Sequence, residues 1–166
     1  MSKITTLKEL YVDELKDLWS ANDQMAKALR KIVPQATNSK LTSMLTASQE
    51  GITKHTGLLK SLIEQQSDEV KKEHCKGMEG LVAEAIKHTI EDAPESGPVL
   101  DAAIIAQYQR MTHYGITGFG TVAAFAKALK ETDAYNRLEG AVKEMHQSDD
   151  LMTELAESAV NANAVT

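Results

Sequence analysis

Proline stands only at positions 34, 94 and 98 of this sequence. A helix tolerates proline in its first turn and nowhere further in, so these positions act as boundaries around long uninterrupted blocks. In the first block Leu7, Tyr11, Leu15, Leu18, Met25, Leu29 and Ile32 recur at three- and four-residue steps, which is one face of an amphipathic helix. Thr6 and Glu9 form a capping-box pair at its start. The second block begins at Asn38 or Ser39 and sets Leu41, Leu45, Ser48, Ile52, His55, Leu59 and Leu62 on one face. The third carries Ile104, Tyr108, Met111, Gly115, Gly118, Val122, Phe125 and Leu129, and the fourth Leu138, Val142, Met145, Asp149, Met152 and Ala156. The spacing predicts helices over 5–33, 38–66, 98–130 and 133–160. Aromatic residues make up only 4% of the chain, so Leu, Ile, Val, Met and Ala must fill the interior, which suits helices better than sheets.

The first two helices and the last two are joined by short connections and should form antiparallel hairpins. About 30 residues separate the hairpins, too many for a structureless loop in a compact domain. Within them, residues 76–91 read as a short extra helix. Two hairpins joined by one long crossover is the connectivity of ferritin-like bundles. The expected fold is therefore all-α: a ferritin-like antiparallel four-helix bundle, one domain over residues 1–166, whose long crossover carries a short helix.

A formal charge of −6 argues against a nucleic-acid partner, because phosphate neutralisation needs clustered Lys and Arg. The sharpest basic group, Lys71, Lys72 and Lys76, is interrupted by Glu73 and reads as a solvated loop. The single cysteine, Cys75, excludes an internal disulfide, fits a reducing compartment, and is expected to be structural or inert. The first residues lack the apolar core of a signal peptide, and no apolar run reaches the roughly 18 residues of a membrane span. A soluble, cytoplasmic protein with no membrane partner is expected.

The informative positions are those where an apolar stripe is broken. Asn22 lies between Leu18 and Met25, Gly51 and His55 lie one turn apart, Gly115 follows Met111, and Asp149 follows Met145. In di-metal bundles, two helices each supply one carboxylate and two supply a carboxylate plus a second ligand about one turn later. The corresponding positions here are Asn22, Gly51 with His55, Gly115, and Met145 with Asp149. Only His55 and Asp149 ligate well, so they are the candidate metal residues, and Asn22, Gly51, Gly115 and Met145 read as vestigial positions. Plainer roles exist for each: His55 as a hydrogen-bonded core histidine, Asp149 as a rim residue paired with a lysine, Asn22 as a register-setting polar residue. Gly115, Gly118 and Gly120 cluster inside the third helix, where close helix approach or room for a neighbouring Trp, Tyr or Met would offset their poor helix propensity.

Three segments resemble the YciF-like family of bacterial ferritin-like stress proteins: Val12-Asp-Glu-Leu-Lys-Asp-Leu-Trp-Ser-Ala21, Cys75-Lys-Gly-Met-Glu-Gly-Leu-Val-Ala-Glu84, and Asp101-Ala-Ala-Ile-Ile-Ala with Gln109-Arg-Met-Thr-His-Tyr114 and Phe119-Gly-Thr121. The tail Met152-Thr-Glu-Leu-Ala156 fits as well, so the resemblance spans nearly the whole chain. It implies a ferritin-like bundle and a role in stress responses. Members commonly carry a Glu after the Ser-Ala of the first helix, carboxylates in the second, Glu-His-Tyr-Glu in the third and paired acids in the fourth. This chain departs at each, with Asn22, with Gly51 after Glu50, with Thr112-His113-Tyr114-Gly115, and with Met145 after Glu144.

The favoured expectation is a non-enzymatic, homodimeric stress-response protein with a degenerate di-metal site, no cofactor, and the former metal space filled by protein. The alternative is a metal-binding or oxidative-stress protein holding iron or another divalent metal at a site remodelled around His55 and Asp149. A third reading is a carrier for a small apolar ligand in the space left by Gly51 and Gly115.

Overall fold

The structure, a computed structural model, describes residues 3–165. Helix α1 spans Leu7–Ile32 and opens on the predicted capping box, in which the Thr6 hydroxyl accepts from the Glu9 amide while the Glu9 carboxylate accepts from the Thr6 amide. Pro34 then tightens the chain into one 3-10 turn. Helix α2 spans Ser39–Gln66, with the Asn38 side chain accepting from the Leu41 amide. The crossover carries α3, Lys76–Ile86, which ends in a π-helical turn over Lys87–Glu91. Helix α4, Pro98–Ala128, begins after Gly97, whose φ of 133° is open to glycine and strained for any L side chain. Helix α5, Thr132–Leu155, runs through a π turn at Ala156–Val160 into the short α6, Asn161–Ala164. The predicted helices are all present, the last continuing a few residues further than expected.

The chain is an all-α antiparallel bundle in which α1 packs on α2 and α4, and α5 packs most extensively on α4. The seam between α2 and α5 is the loosest of the four. No helix among the described residues is long and apolar enough to cross a membrane.

Polar residues lock the connections. Asp101, at the start of α4, is 2% exposed and accepts from the Thr37 amide at 2.7 Å, the Thr37 hydroxyl at 2.6 Å and the Asn38 amide at 3.0 Å. It thereby fastens the α1–α2 turn to α4, and charge-assisted bonds of this kind are about twice as strong as neutral ones. The crossover is pinned to α1 where the Cys75 amide donates to the Ser20 hydroxyl and Gln24 donates to the Cys75 carbonyl. Cys75 is fully buried, its sulfur capping α3 at the Met78 amide, and burial pushes its thiol pKa up. Lys71 and Lys72 lie in the exposed loop before it, paired with Glu69 and Asp23.

The apolar interior divides in two. One cluster gathers Tyr11, Leu15, Leu18, Leu59, Leu62, Phe119, Val122 and Leu138. The other gathers Met25, Leu29, Leu41, Leu45, Met78, Ile104, Met111 and Met152. The stripes match expectation except in three places. At the start of α1, Leu7 is 38% exposed. In α4, Phe119 is buried and Phe125 only partly so. In α5, the inward line runs Leu138, Ala141, Met145, Ser148, Met152 and Leu155; Val142 and Ala156 flank it, half-buried against the clusters, and Asp149 is turned off it. A helix turns 100° per residue, so three- and four-residue steps both fit one face, and the sequence chose the wrong mixture.

Candidate functional site

Between the two clusters lies a cavity of about 350 Å³. Its exposed lining residues, Ala47, Glu144, Gln147 and Leu151, all belong to α2 and α5, so it opens at the loose seam. The expectation that this space is filled by protein is therefore corrected. The reason lies in side-chain size: a Cβ added at Gly51 would meet nothing within 4 Å, and one at Gly115 would meet only the Met145 sulfur at 3.3 Å.

Asn22, Gly51, Gly115 and Met145 all line this one cavity, and so does His55. Asn22, 8% exposed, donates to the Thr56 hydroxyl at 3.2 Å. His55 is 7% exposed, and its Nε2 lies 2.9 Å from Glu144 Oε2. The other oxygen of Glu144 accepts from Lys54 Nζ at 2.6 Å, so a Lys54–Glu144–His55 clasp ties α2 to α5 at the cavity mouth. Hydrogen bonds from Lys54 and then His55 hold the Glu144 carboxyl below its usual range. Deeper in, Tyr108 shares hydrogen bonds of 2.8 Å with both Ser48 and Ser148, while Ser48 also donates to the Met44 carbonyl. Thr112, on the same wall and 4% exposed, has a buried hydroxyl with no hydrogen-bond partner.

Asp149 is elsewhere. It does not line the cavity, because α5 turns Ser148 inward in its place. Its carboxylate accepts from Gln109 at 3.0 Å and pairs with His113 Nε2 at 2.8 Å, so its rim partner is a histidine and a glutamine, not the expected lysine. His55 and Asp149 thus have separate partners on different faces of α5's packing.

The chain from residue 6 to 165 matches the family model described as a domain of unknown function, DUF892. It is 31% identical over 160 residues to protein YciF of Escherichia coli (strain K12), covering 96% of this chain and 95% of that one. The crystal structure of the E. coli stress protein YciF superposes with a TM-score of 0.87, covering 95% of this chain and 99% of that chain. A second solved structure, YcfI from Rhodopseudomonas palustris, is 30% identical with a TM-score of 0.84 over 91% of this chain and 95% of that one.

The chain belongs to this YciF-like family. The family's ferritin-like resemblance raises a di-metal centre as the group to test against the cavity. Two divalent ions need several anionic oxygens around them. The lining supplies one carboxylate, Glu144, already held by Lys54 and His55, one imidazole, His55 itself, and otherwise thioethers, hydroxyls, the amides of Asn22 and Gln147, two glycines and apolar side chains. Among the described residues no group of three or more His, Cys, Asp or Glu is placed to hold a metal ion. The donor set does not fit such a centre. Sequence reasoning missed Glu144 as the partner of His55, and it missed Thr112, although Thr112 heads the phrase in which the YciF-like family carries a Glu.

Proposed function

We propose that this chain is a non-enzymatic, ferritin-like protein of a bacterial stress response whose di-metal centre has degenerated. One observation carries the reading: four inward positions on α1, α2, α4 and α5, held by Asn22, Gly51, Gly115 and Met145, converge on a single cavity without a carboxylate among them. One lost carboxylate can be replaced by water or a neighbour. Four cannot, because two divalent ions would keep most of their charge in a poorly solvated site. The same losses relieve the repulsion that clustered carboxylates impose on a metal-free bundle, so the bundle needs no metal to stand.

The alternative site around His55 and Asp149 gains no support, since the two residues are separately engaged and only His55 faces the cavity. The similarity to the E. coli stress protein supports the stress-response setting. The buried lone thiol and the acidic charge support a cytoplasmic protein without a nucleic-acid partner. We take the working form to be a homodimer, which light scattering at two protein concentrations will test.

The functional reading is tested with protein produced in iron- and manganese-supplemented medium and purified without chelator. Elemental analysis should find metal well below one per chain, and added Fe(II) or Mn(II) should leave Tm nearly unchanged, since a ligand stabilises only through binding the folded state. Two metals per chain with a Tm gain of many degrees would overturn it.

A further inference from the structure

We propose that the cavity is a binding site for a neutral, largely apolar aromatic small molecule carrying one hydrogen-bond acceptor. The inference rests on the reading that no di-metal centre occupies this space.

Size comes first. A volume of about 350 Å³ falls at the lower end of small-molecule pockets, which run from roughly 300 to 1,000 Å³. That suits a molecule of one or two rings and excludes a peptide or a lipid chain with its headgroup. The wall chemistry is unusual. Of the chain's seven methionines, Met25, Met44, Met78, Met111 and Met145 line the cavity. Thioethers are flexible and polarisable, they mould to irregular shapes, and their sulfur makes favourable contacts with aromatic ring edges. Electrostatics then select a neutral ligand. The only carboxylate on the wall is Glu144, and both of its oxygens are engaged by Lys54 and His55 at the mouth. A cation would find no free counter-charge, and an anion would approach Glu144 itself. The remaining polar groups are largely satisfied: Asn22 by Thr56, and Ser48, Tyr108 and Ser148 by one another.

Thr112 is the exception. Its buried hydroxyl has no partner, a state that native structures rarely leave unanswered. A carbonyl on a bound molecule would accept from it once the flexible methionines yield. The empty room is where a ligand ring would sit, beside Gly51, whose missing side chain leaves open space. The mouth lies between α2 and α5, the loosest of the four main seams, so a ligand enters there, beside the Lys54–Glu144–His55 clasp.

Prodan, a neutral naphthalene ketone whose emission moves to the blue on leaving water, is the probe. Wild-type protein should bind it saturably at one per chain. Gly51→Leu should weaken binding by about tenfold and Gly51→Phe further, because each fills the ring's space. Thr112→Val should weaken prodan several-fold and leave ethylnaphthalene, which lacks the carbonyl, unchanged. Helicity and Tm of each variant check the fold, and Gly51→Leu serves where the larger Phe disturbs it. No saturable binding to wild type, undiminished binding to a folded Gly51 variant, or equally tight binding of anionic anilinonaphthalene sulfonate would each overturn the proposal. Metal content is measured on the same sample. Metal-free protein that ignores prodan defeats this inference alone, whereas two irons per chain defeats the metal reading before any probe is added.

Discussion

At one end of the bundle Tyr11, Leu15, Leu59, Phe119 and Leu138 interlock, each 1% exposed or less. There a Cβ on Gly118 would fall 2.3 Å from the Leu18 Cδ2 atom, so α1 and α4 approach as closely as a glycine permits. Between that cluster and the second one, methionines, hydroxyls and another glycine, Gly51, surround open space. The two glycines sit in similar helices and do opposite things: Gly118 lets backbone and side chain meet, and Gly51 leaves a hole. Leucine and phenylalanine have few rotamers and fix register, whereas methionine adapts to whatever volume remains. The contrast teaches that the sealed clusters carry the stability of the bundle, while the methionine-lined space between them contributes little to it. A sealed void of that size would cost on the order of 8 kcal/mol, taking about 24 cal/mol for each of its roughly 350 Å³. Opening to solvent at the α2–α5 seam avoids most of that penalty.

Mutations in the two regions break or sharpen this division. The largest effect is expected from Leu59→Ala, which should cost about 3–4 kcal/mol in urea unfolding because its neighbours cannot collapse into the gap. Met145→Ala, at the cavity wall, should cost less than about 1 kcal/mol, since it only enlarges a space already open. Equal losses would erase the distinction.

The glycines give the next largest contrast, and one of opposite sign. Gly118→Ala should destabilise by about 1–2 kcal/mol, its clash with buried Leu18 outweighing the gain in helix propensity. Gly51→Ala meets nothing and should stabilise by about 0.5–1 kcal/mol, as glycine-to-alanine replacements do inside exposed helices.

The smallest effect belongs to the clasp. Hydrogen bonds from Lys54 and His55 lower the Glu144 pKa from its ordinary 4.5. A carboxyl so lowered contributes stability that is present above pH 4.5 and is lost as pH falls through its folded value. Wild type should therefore exceed Glu144→Gln in stability near neutrality, and the gap should close below that pH. The gap should be small, because the side chain is 46% exposed and solvent screens the pair.

Most of the fold was legible because helix period, proline positions and caps are local properties. The Thr6–Glu9 box, the start of α2 at Ser39 and the start of α4 at Pro98 lie where the sequence placed them. The site was legible in part. Asn22, Gly51, His55 and Gly115 were found as breaks in apolar stripes and Met145 as the position one turn before Asp149, and all five reach one cavity. Asp149 was misplaced because a stripe defined by three- and four-residue steps leaves each helix's rotation uncertain by about a residue, enough to exchange Asp149 for Ser148. Glu144 and Thr112 were missed for a different reason. The pairing of Glu144 with His55 depends on the register between α2 and α5, and an orphaned hydroxyl is visible only once every neighbour is placed.

The contrast between sealed and open interior is tested most directly by a crystal pressurised with xenon, which enters apolar space large enough to hold it and shows in anomalous difference maps. The account predicts a strong xenon peak among Met25, Met44, Met111 and Met145, and none among Tyr11, Leu59 and Phe119. A cavity that takes up no xenon, or one already holding a metal pair coordinated by protein, would contradict it.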